Sequence, residues 1–427
     1  MLKLGNGEKL YVGYDLGDGY SQISFCTRTG EVETLSLVAG TENFNIPTVL
    51  CKREGVNQWF YGREALRYAE NNQGILLKNV LSMAVDGESV QVEGKTLDPV
   101  ALLTLFVKRS LGLLSQVSSP DKIDMLMFTC ETLNHRMLEV LSQVAAGLKL
   151  KPEQVCFQSH TESFYNYMIH QPEELWNYPV LLCDYRENHI TVYRMECNKR
   201  TTPVVVYIGN RKYAFPAYQP MPEAETLRRE KMERLDSEFL HLMTDVCQSG
   251  MLSAVYLIGE DYSEEWMKES LRFLCRGRRV FQGNNLYSKG ACYGIQERQS
   301  ASEAGKSHVF LGNDKLKANV GMKILRRGEE SYFALLDAGV NWFEAEQTME
   351  CYLQDGNSVE FVITPLIGKK GRVVQMTLDD LQGSINRLRV RLYMKEESKM
   401  AVEITDLGFG EIRPASYHLW REEIGLY

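Results

Sequence analysis

The sequence predicts a mixed α/β protein, a two-lobed α/β domain followed by an all-β domain. Three observations carry this reading. The order hairpin, helix, strand, helix occurs twice within residues 1–300, and each hairpin carries an aspartate at the end of its first strand, Asp15 and Asp184. A Ser/Ala/Lys-rich stretch, QSASEAGKSHVFLGNDKLKAN at 299–319, then interrupts the pattern. Beyond it the apolar period falls to two, in short runs separated by Gly, Asp or Asn.

In the first cycle, LYVGYD and YSQISFC flank the turn LGDG and read as a hairpin. Residues 51–115 form an insertion with helices near 62–70 and 98–115, the second opened by Asp98 as N-cap and Pro99 at the first helical position. IDMLMFTC (123–130) is a strand, and Met137, Leu138, Leu141, Val144, Ala145 and Leu148 share one face of a helix over 134–148. A short strand, VCF, leads to an aromatic-rich helical segment at 161–169 in which Phe164, Tyr165 and Tyr167 are expected in the core.

The second cycle repeats this order. VLLCD and HITVYRM form a hairpin, and a long helix runs from Pro222 to Ser249, with Gly250 as its stop. AVYLIG is a buried strand, EEWMKESLRFLC a helix, RVF a strand and 286–298 the last helix. The lobes divide near 175 and 176, a linker is expected at 301–319, and 320–427 reads as a β-sandwich built from SYFALL, FEAEQTMECYL, SVEFVITPL, VVQMTL, LRVRLYM and MAVEIT. In two facing α/β halves the strand ends bearing Asp15 and Asp184 converge on a cleft.

Composition narrows the functional classes. A net charge of −8 disfavours nucleic-acid binding. No apolar stretch is long enough to span a bilayer and the N-terminus lacks a signal-peptide pattern, so a cytoplasmic protein with no membrane partner is expected. Ten cysteines are scattered singly without zinc-like spacing and read as reduced, structural thiols.

VGYDLGDGYSQISF, NIPTVLCKREGVNQWFYGREALRYAE, IDMLMFTCETLNHRMLEVLSQVAAGLKL, AVYLIGED and YSKGACYGI, in that order, resemble the actin-like ATPase superfamily (ribonuclease H-like, duplicated) and most of all its 70-kDa heat-shock, DnaK-like chaperone branch. RLRVRLYMKEESKMAVEITDLGFGEIRPAS resembles that family's substrate-binding β-domain, without the helical lid, and the second lobe is shortened. The resemblance implies an ATP or ADP site with Mg²⁺ held near Asp15 and Asp184, lined by Gly17, Asp18, Gly19, Tyr20, Lys78, Gly259 and Glu260. Lys78 stands where the family has its catalytic lysine.

Several of the implied positions are altered. A triphosphate needs backbone N–H donors brought close by glycine. In the second hairpin Arg186, Glu187 and Asn188 replace the family's glycines and His189 its threonine. Asp18 replaces a hydroxyl residue beside the phosphates, Ser159 the water-orienting glutamate, and Glu260 the second glycine of the adenosine motif. Glu162 lies one helical turn beyond Ser159 and is the remaining candidate base. Each such loss costs about two orders of magnitude or more in rate. The expectation is a chaperone-like protein with a degenerate nucleotide site that binds a peptide or protein partner; the alternatives are a slow but genuine ATPase chaperone and an actin-like structural or scaffold protein. Asp184 beside Arg186 reads equally as a local ion pair. His160, His170 and His189 show no ligand spacing. Trp342 and Phe343, in a turn-like context, are candidates for a peptide-binding rim, and Met349, Phe361 and Ile363 for sandwich core.

Overall fold

The computed structural model describes residues 9–28, 30–38, 40–217, 222–248, 250–259, 262, 265–354, 356–366 and 370–427. The chain divides into two compact units, Met1–Phe310 and Leu311–Tyr427.

Unit 1 holds two sheets of one topology. In the first, Leu10–Leu16 pairs antiparallel with Tyr20–Cys26, which pairs antiparallel with Glu33–Thr34; on its other side Leu10–Leu16 runs parallel to Ile123–Cys130, and that strand parallel to Val155–Ser159. In the second, Val180–Arg186, His189–Asn198 and Val204–Ala214 are the antiparallel members, and Ala254–Ile258 and Arg279–Gly283 the parallel ones. Strand order and direction coincide, so the repeat legible in the sequence is a repeat of topology. Each first strand is buried along its length, as a central strand covered on both faces must be.

After its fifth strand each sheet sends out a helix, His160–Ile169 in one case and Leu286–Gln299 in the other. These two helices cross at backbone contact. A Cβ added at Gly290 would lie 2.0 Å from the Ser163 carbonyl oxygen, and one at Gly294 2.3 Å from Gln158 Oε1. Against the first strand, a Cβ at Gly13 would lie 2.2 Å from the Ser288 carbonyl oxygen. Around the crossing, buried polar groups satisfy one another: Gln158 Nε2 donates to Ser163 Oγ at 2.7 Å, and Asn166 Nδ2 to Gln158 Oε1 at 3.2 Å.

The expected helices near 62–70 and 134–148 are Gly62–Glu70 and His135–Gly147, and the long one is Glu225–Cys247. EEWMKESLRFLC forms only the short helix Glu269–Leu274. Val204–Ala214, a long strand, escaped the pattern because its residues 209–212 are exposed and polar, which breaks the apolar alternation.

The stretch expected to be a linker is largely built into unit 1. Glu303–Ser307 is a helix capped by Ser302, and His308–Phe310 adds to the second sheet parallel to Val204–Ala214. The cause is the apolar run that the surrounding polar residues conceal. Phe310 is buried and stacks on Tyr165 with centroids 5.2 Å apart. Phe164 and Tyr165 are core residues, as expected.

Unit 2 contains two four-stranded antiparallel sheets. Along Ile385–Glu396 alternate side chains are buried, including Leu388, Val390 and Leu392. Arg389 and Arg391 point outward to ion pairs with Glu350 and Glu346 at 3.0 and 2.7 Å. Phe361 and Ile363 are fully buried, while Met349 is exposed only in part. Trp342, expected at a rim, is instead buried in the 3₁₀ turn Trp342–Glu344, and Phe343 beside it is half-buried. Burying the indole removes more apolar surface from water than an exposed turn would, so the residue does not offer a rim.

At the end of Lys399–Asp406, the buried Asp406 carboxylate organises the following loop. It accepts from both Nη atoms of Arg413, at 3.0 and 2.6 Å, and from the amides of Gly408 and Ser416. Burial alone would raise the Asp406 pKa, but Arg413, then Ser416 and the amides, hold it well below the usual carboxylate range.

Two outcomes follow. Gly290→Ala forces a methyl group into a backbone oxygen that cannot step aside, and denaturant unfolding should read a loss of about 3 kcal/mol. Because Asp406 has a lowered folded-state pKa, its stabilisation is complete above the ordinary value of 3.8 and is lost as pH falls through the folded value. Asp406→Asn should therefore lower the unfolding midpoint of unit 2 at neutral pH and flatten its acid dependence.

Candidate functional site

The ends of the two first strands face a cleft of about 590 Å³, lined by both hairpins, by the helix Val80–Asp86 and by the turn after Ile123–Cys130. Gly17, Asp18, Gly19 and Tyr20 come from the first hairpin, and Arg186, Glu187 and His189 from the second. A Cβ at Gly19 would meet nothing within 4 Å, so packing does not demand glycine there.

Asp15 and Asp184 sit at equivalent places in the two sheets and are both buried. Each is bonded to the start of its own sheet's last helix. Asp15 Oδ1 lies 2.7 Å from His160 Nε2, on the first residue of His160–Ile169. Asp184 Oδ2 accepts a 3.0 Å hydrogen bond from the hydroxyl of Tyr287, the second residue of Leu286–Gln299. The imidazole and the phenol ring then stack on each other, with centroids 3.8 Å apart and planes 5° apart. Burial first, and Asp184 next, push the Tyr287 pKa well above its ordinary value, so the phenol is a donor at any physiological pH.

Arg186 completes the arrangement. Its Nε lies 3.0 Å from both oxygens of Asp184, and its guanidinium stands 5.7 Å from the centre of the Tyr20 ring and 5.8 Å from that of Tyr287. A Cβ at Gly17 would be 3.7 Å from Arg186 Nη1, so the side chain reaches from the second hairpin to the first. Burial would lower the Arg186 pKa, but Asp184, then Tyr20 and Asp15, outweigh it and hold the guanidinium charged. The cation thus lies in the space between the hairpins, where bare backbone would have to stand to receive phosphate oxygens.

The chain shows its family at this point. Residues 31–313 match the model described as "Family of unknown function (DUF5716) C-terminal", about two thirds of the chain, and residues 315–426 match "Domain of unknown function (DUF8552)". The chain belongs to the DUF5716 family. No curated protein matches it.

The remaining candidates of this DUF5716 chain scatter. Asp18 is occupied structurally: Oδ1 accepts from the amides of Leu81 and Ser82 at 3.1 and 3.0 Å, and Oδ2 accepts from the Ser82 hydroxyl, so it caps Val80–Asp86 from outside. Lys78 is exposed just before that helix and does not line the cleft. Glu162 is buried, but it lines a separate cavity of about 210 Å³ with Tyr165, Asn166 and Glu297. The helical phase explains this, since two residues beyond His160 turn a side chain about 200° away from Asp15. Ser159 is the N-cap of that helix, its hydroxyl accepting from the Glu162 amide.

Gly259 has φ +124°, and a Cβ there would lie 2.4 Å from the Tyr185 carbonyl oxygen; its glycine serves close strand packing rather than the cleft lining. Glu260 lies outside the described residues. His189 lines the cleft, and burial, then Lys212, lower its pKa. His170 stacks on Tyr293 and pairs with Glu297 at 3.2 Å, away from the cleft.

Asp15 and Asp184, implied as ligands of hydrated Mg²⁺, have carboxylate oxygens already engaged by side-chain donors, and a guanidinium stands beside them. The residues present do not fit a divalent cation with its retained waters. Among the described residues no group of three or more His, Cys, Asp or Glu side chains is arranged to hold a metal.

The signal for His160 and Tyr287 was available in the repeat itself, since each opens the helix after the fifth strand of its half. Arg186→Ala should leave Asp184 buried with its charge uncompensated, and thermal unfolding should report a loss of about 3 kcal/mol, with Arg186→Lys recovering only part of it.

Proposed function

We propose that this chain is a chaperone-like, DnaK-related protein of the actin-like superfamily whose nucleotide site is degenerate, and that it engages a protein or peptide partner without efficient ATP hydrolysis. The observation that carries this reading is Arg186, bonded to Asp184 and reaching the Gly17 side of the cleft. A guanidinium there gives Asp184 the positive partner that Mg²⁺ would otherwise provide.

The shared strand order of the two sheets in unit 1 supports an actin-like, ribonuclease H-like duplication. The two antiparallel sheets of unit 2 support a β-sandwich of the substrate-binding kind. The cytoplasm is the proposed compartment; no helix of the described residues is long and apolar enough to cross a membrane.

Isothermal titration with ATP and with ADP in Mg²⁺, followed by a phosphate-release assay, tests the proposal. The expected outcome is release at the buffer rate, unchanged in Asp15→Ala and Lys78→Ala. Turnover that disappears in either variant would establish a slow ATPase and overturn the proposal.

A further inference from the structure

The bonding at the base of the cleft has a symmetry of its own. In each lobe the aspartate ending the first strand is bonded to a ring at the start of the last helix: Asp15 to His160, and Asp184 to Tyr287. The two rings come from the two crossing helices and lie flat on each other; Leu286–Gln299 packs on the first sheet and His160–Ile169 against the second, so each aspartate–ring bond joins one sheet to a helix lying on the other. All four residues are at most 3% exposed. Arg186 adds a second crossing, from Asp184 in the second lobe to the Tyr20 ring and the Gly17 backbone in the first.

We propose that Asp15–His160/Tyr287–Asp184, with Arg186, is an internal clasp that sets the relative position of the two lobes of unit 1, so that their closed arrangement is fixed by the chain itself and not by an occupant of the cleft. Two features of the chemistry favour a clasp over incidental core packing. First, stacking of rings on one another keeps its strength only at a fixed separation and tilt, so it resists rotation of one lobe against the other. Second, both carboxylates are withdrawn from water, and their bonds to donors on the last helices are expensive to break once buried. The sheets cannot part without breaking the Asp15–His160 or the Asp184–Tyr287 bond, because each joins a sheet to a helix packed against the other sheet. Close backbone approach at Gly290 and Gly294 holds the helices that carry the rings.

The clasp is separate from the chaperone-like reading: a partner-binding protein without it, or a clasped protein with another role, would each be consistent chemistry. Its test is hydrogen–deuterium exchange of the full chain, read at the first turns of His160–Ile169 and Leu286–Gln299 and at both hairpin turns. In the wild type these amides should exchange at one rate with and without Mg-ATP. Tyr287→Leu removes both the stack and the bond to Asp184, and should speed exchange about tenfold at the His160 turn and the Gly17 hairpin. Tyr287→Phe keeps the ring and loses the bond to Asp184, so the Tyr287 turn and the second hairpin turn should respond while the His160 turn keeps the wild-type rate.

Should Tyr287→Leu not fold, His160→Phe provides the reciprocal measurement. It retains a flat ring on Tyr287 and loses the bond to Asp15, and should loosen the Gly17 hairpin while leaving the Tyr287 turn at the wild-type rate. A His160 turn and Gly17 hairpin that keep wild-type exchange in Tyr287→Leu, or, where that variant does not fold, a Gly17 hairpin unchanged in His160→Phe, would overturn the clasp. So would wild-type exchange at these segments that slows on adding Mg-ATP. Phosphate release bears on the chaperone-like reading alone, so the two failures are distinguishable.

Discussion

The crossing of His160–Ile169 with Leu286–Gln299 is the contact on which unit 1 depends. Two helices can approach at backbone distance only where one lacks side chains at the contact, and Gly290 and Gly294 meet that condition. The crossing fixes where the helix starts fall. It brings His160 and Tyr287, at the starts of the two crossing helices, into a stack, and it presents each to the aspartate of the sheet that precedes its helix in the chain. Fold and site are therefore one geometry. The cleft above is lined by both hairpins and by Val80–Asp86, with His160 at its base.

The electrostatics follow from that geometry. Two carboxylates have been taken out of water, and each needs a donor or a cation within hydrogen-bond reach. A protein that binds a cation and phosphates leaves such groups partly unmet until the ligand arrives. Here the chain supplies the partners itself, a histidine and a tyrosine from the helix starts and a guanidinium from the second hairpin. Asp18 is drawn off to the amides of Leu81 and Ser82.

Unit 2 applies the same rule on a smaller scale. Asp406 is buried and shapes its loop by accepting from Arg413 and backbone amides, while the exposed arginines of Ile385–Glu396 spend their charge on surface ion pairs of modest worth. Large apolar side chains remain outside, at Ile412 and Tyr417 on that loop.

Short-range features were legible in the sequence. The hairpins, the duplicated order, the place of Asp15 and Asp184 at strand ends, and most helices follow from periodicities and turn residues that act within a few positions. The ion pair of Asp184 with Arg186 was open to inspection because a single residue separates them. What needed the folded chain were encounters between distant segments: His160 against Asp15, Tyr287 against His160, Asp18 against the insertion helix, and Phe310 as a sheet strand instead of part of a linker. The exposure of Lys78, the separate cavity of Glu162 and the burial of Trp342 are placements of the same kind. Where a side chain points is decided by helical phase and by which surface happens to cover it, and neither is a property of the residue's neighbours in sequence. The chain alone determined which elements form and in what order; tertiary packing decided which buried charges would meet, because desolvation makes every buried group's partner a matter of three-dimensional proximity.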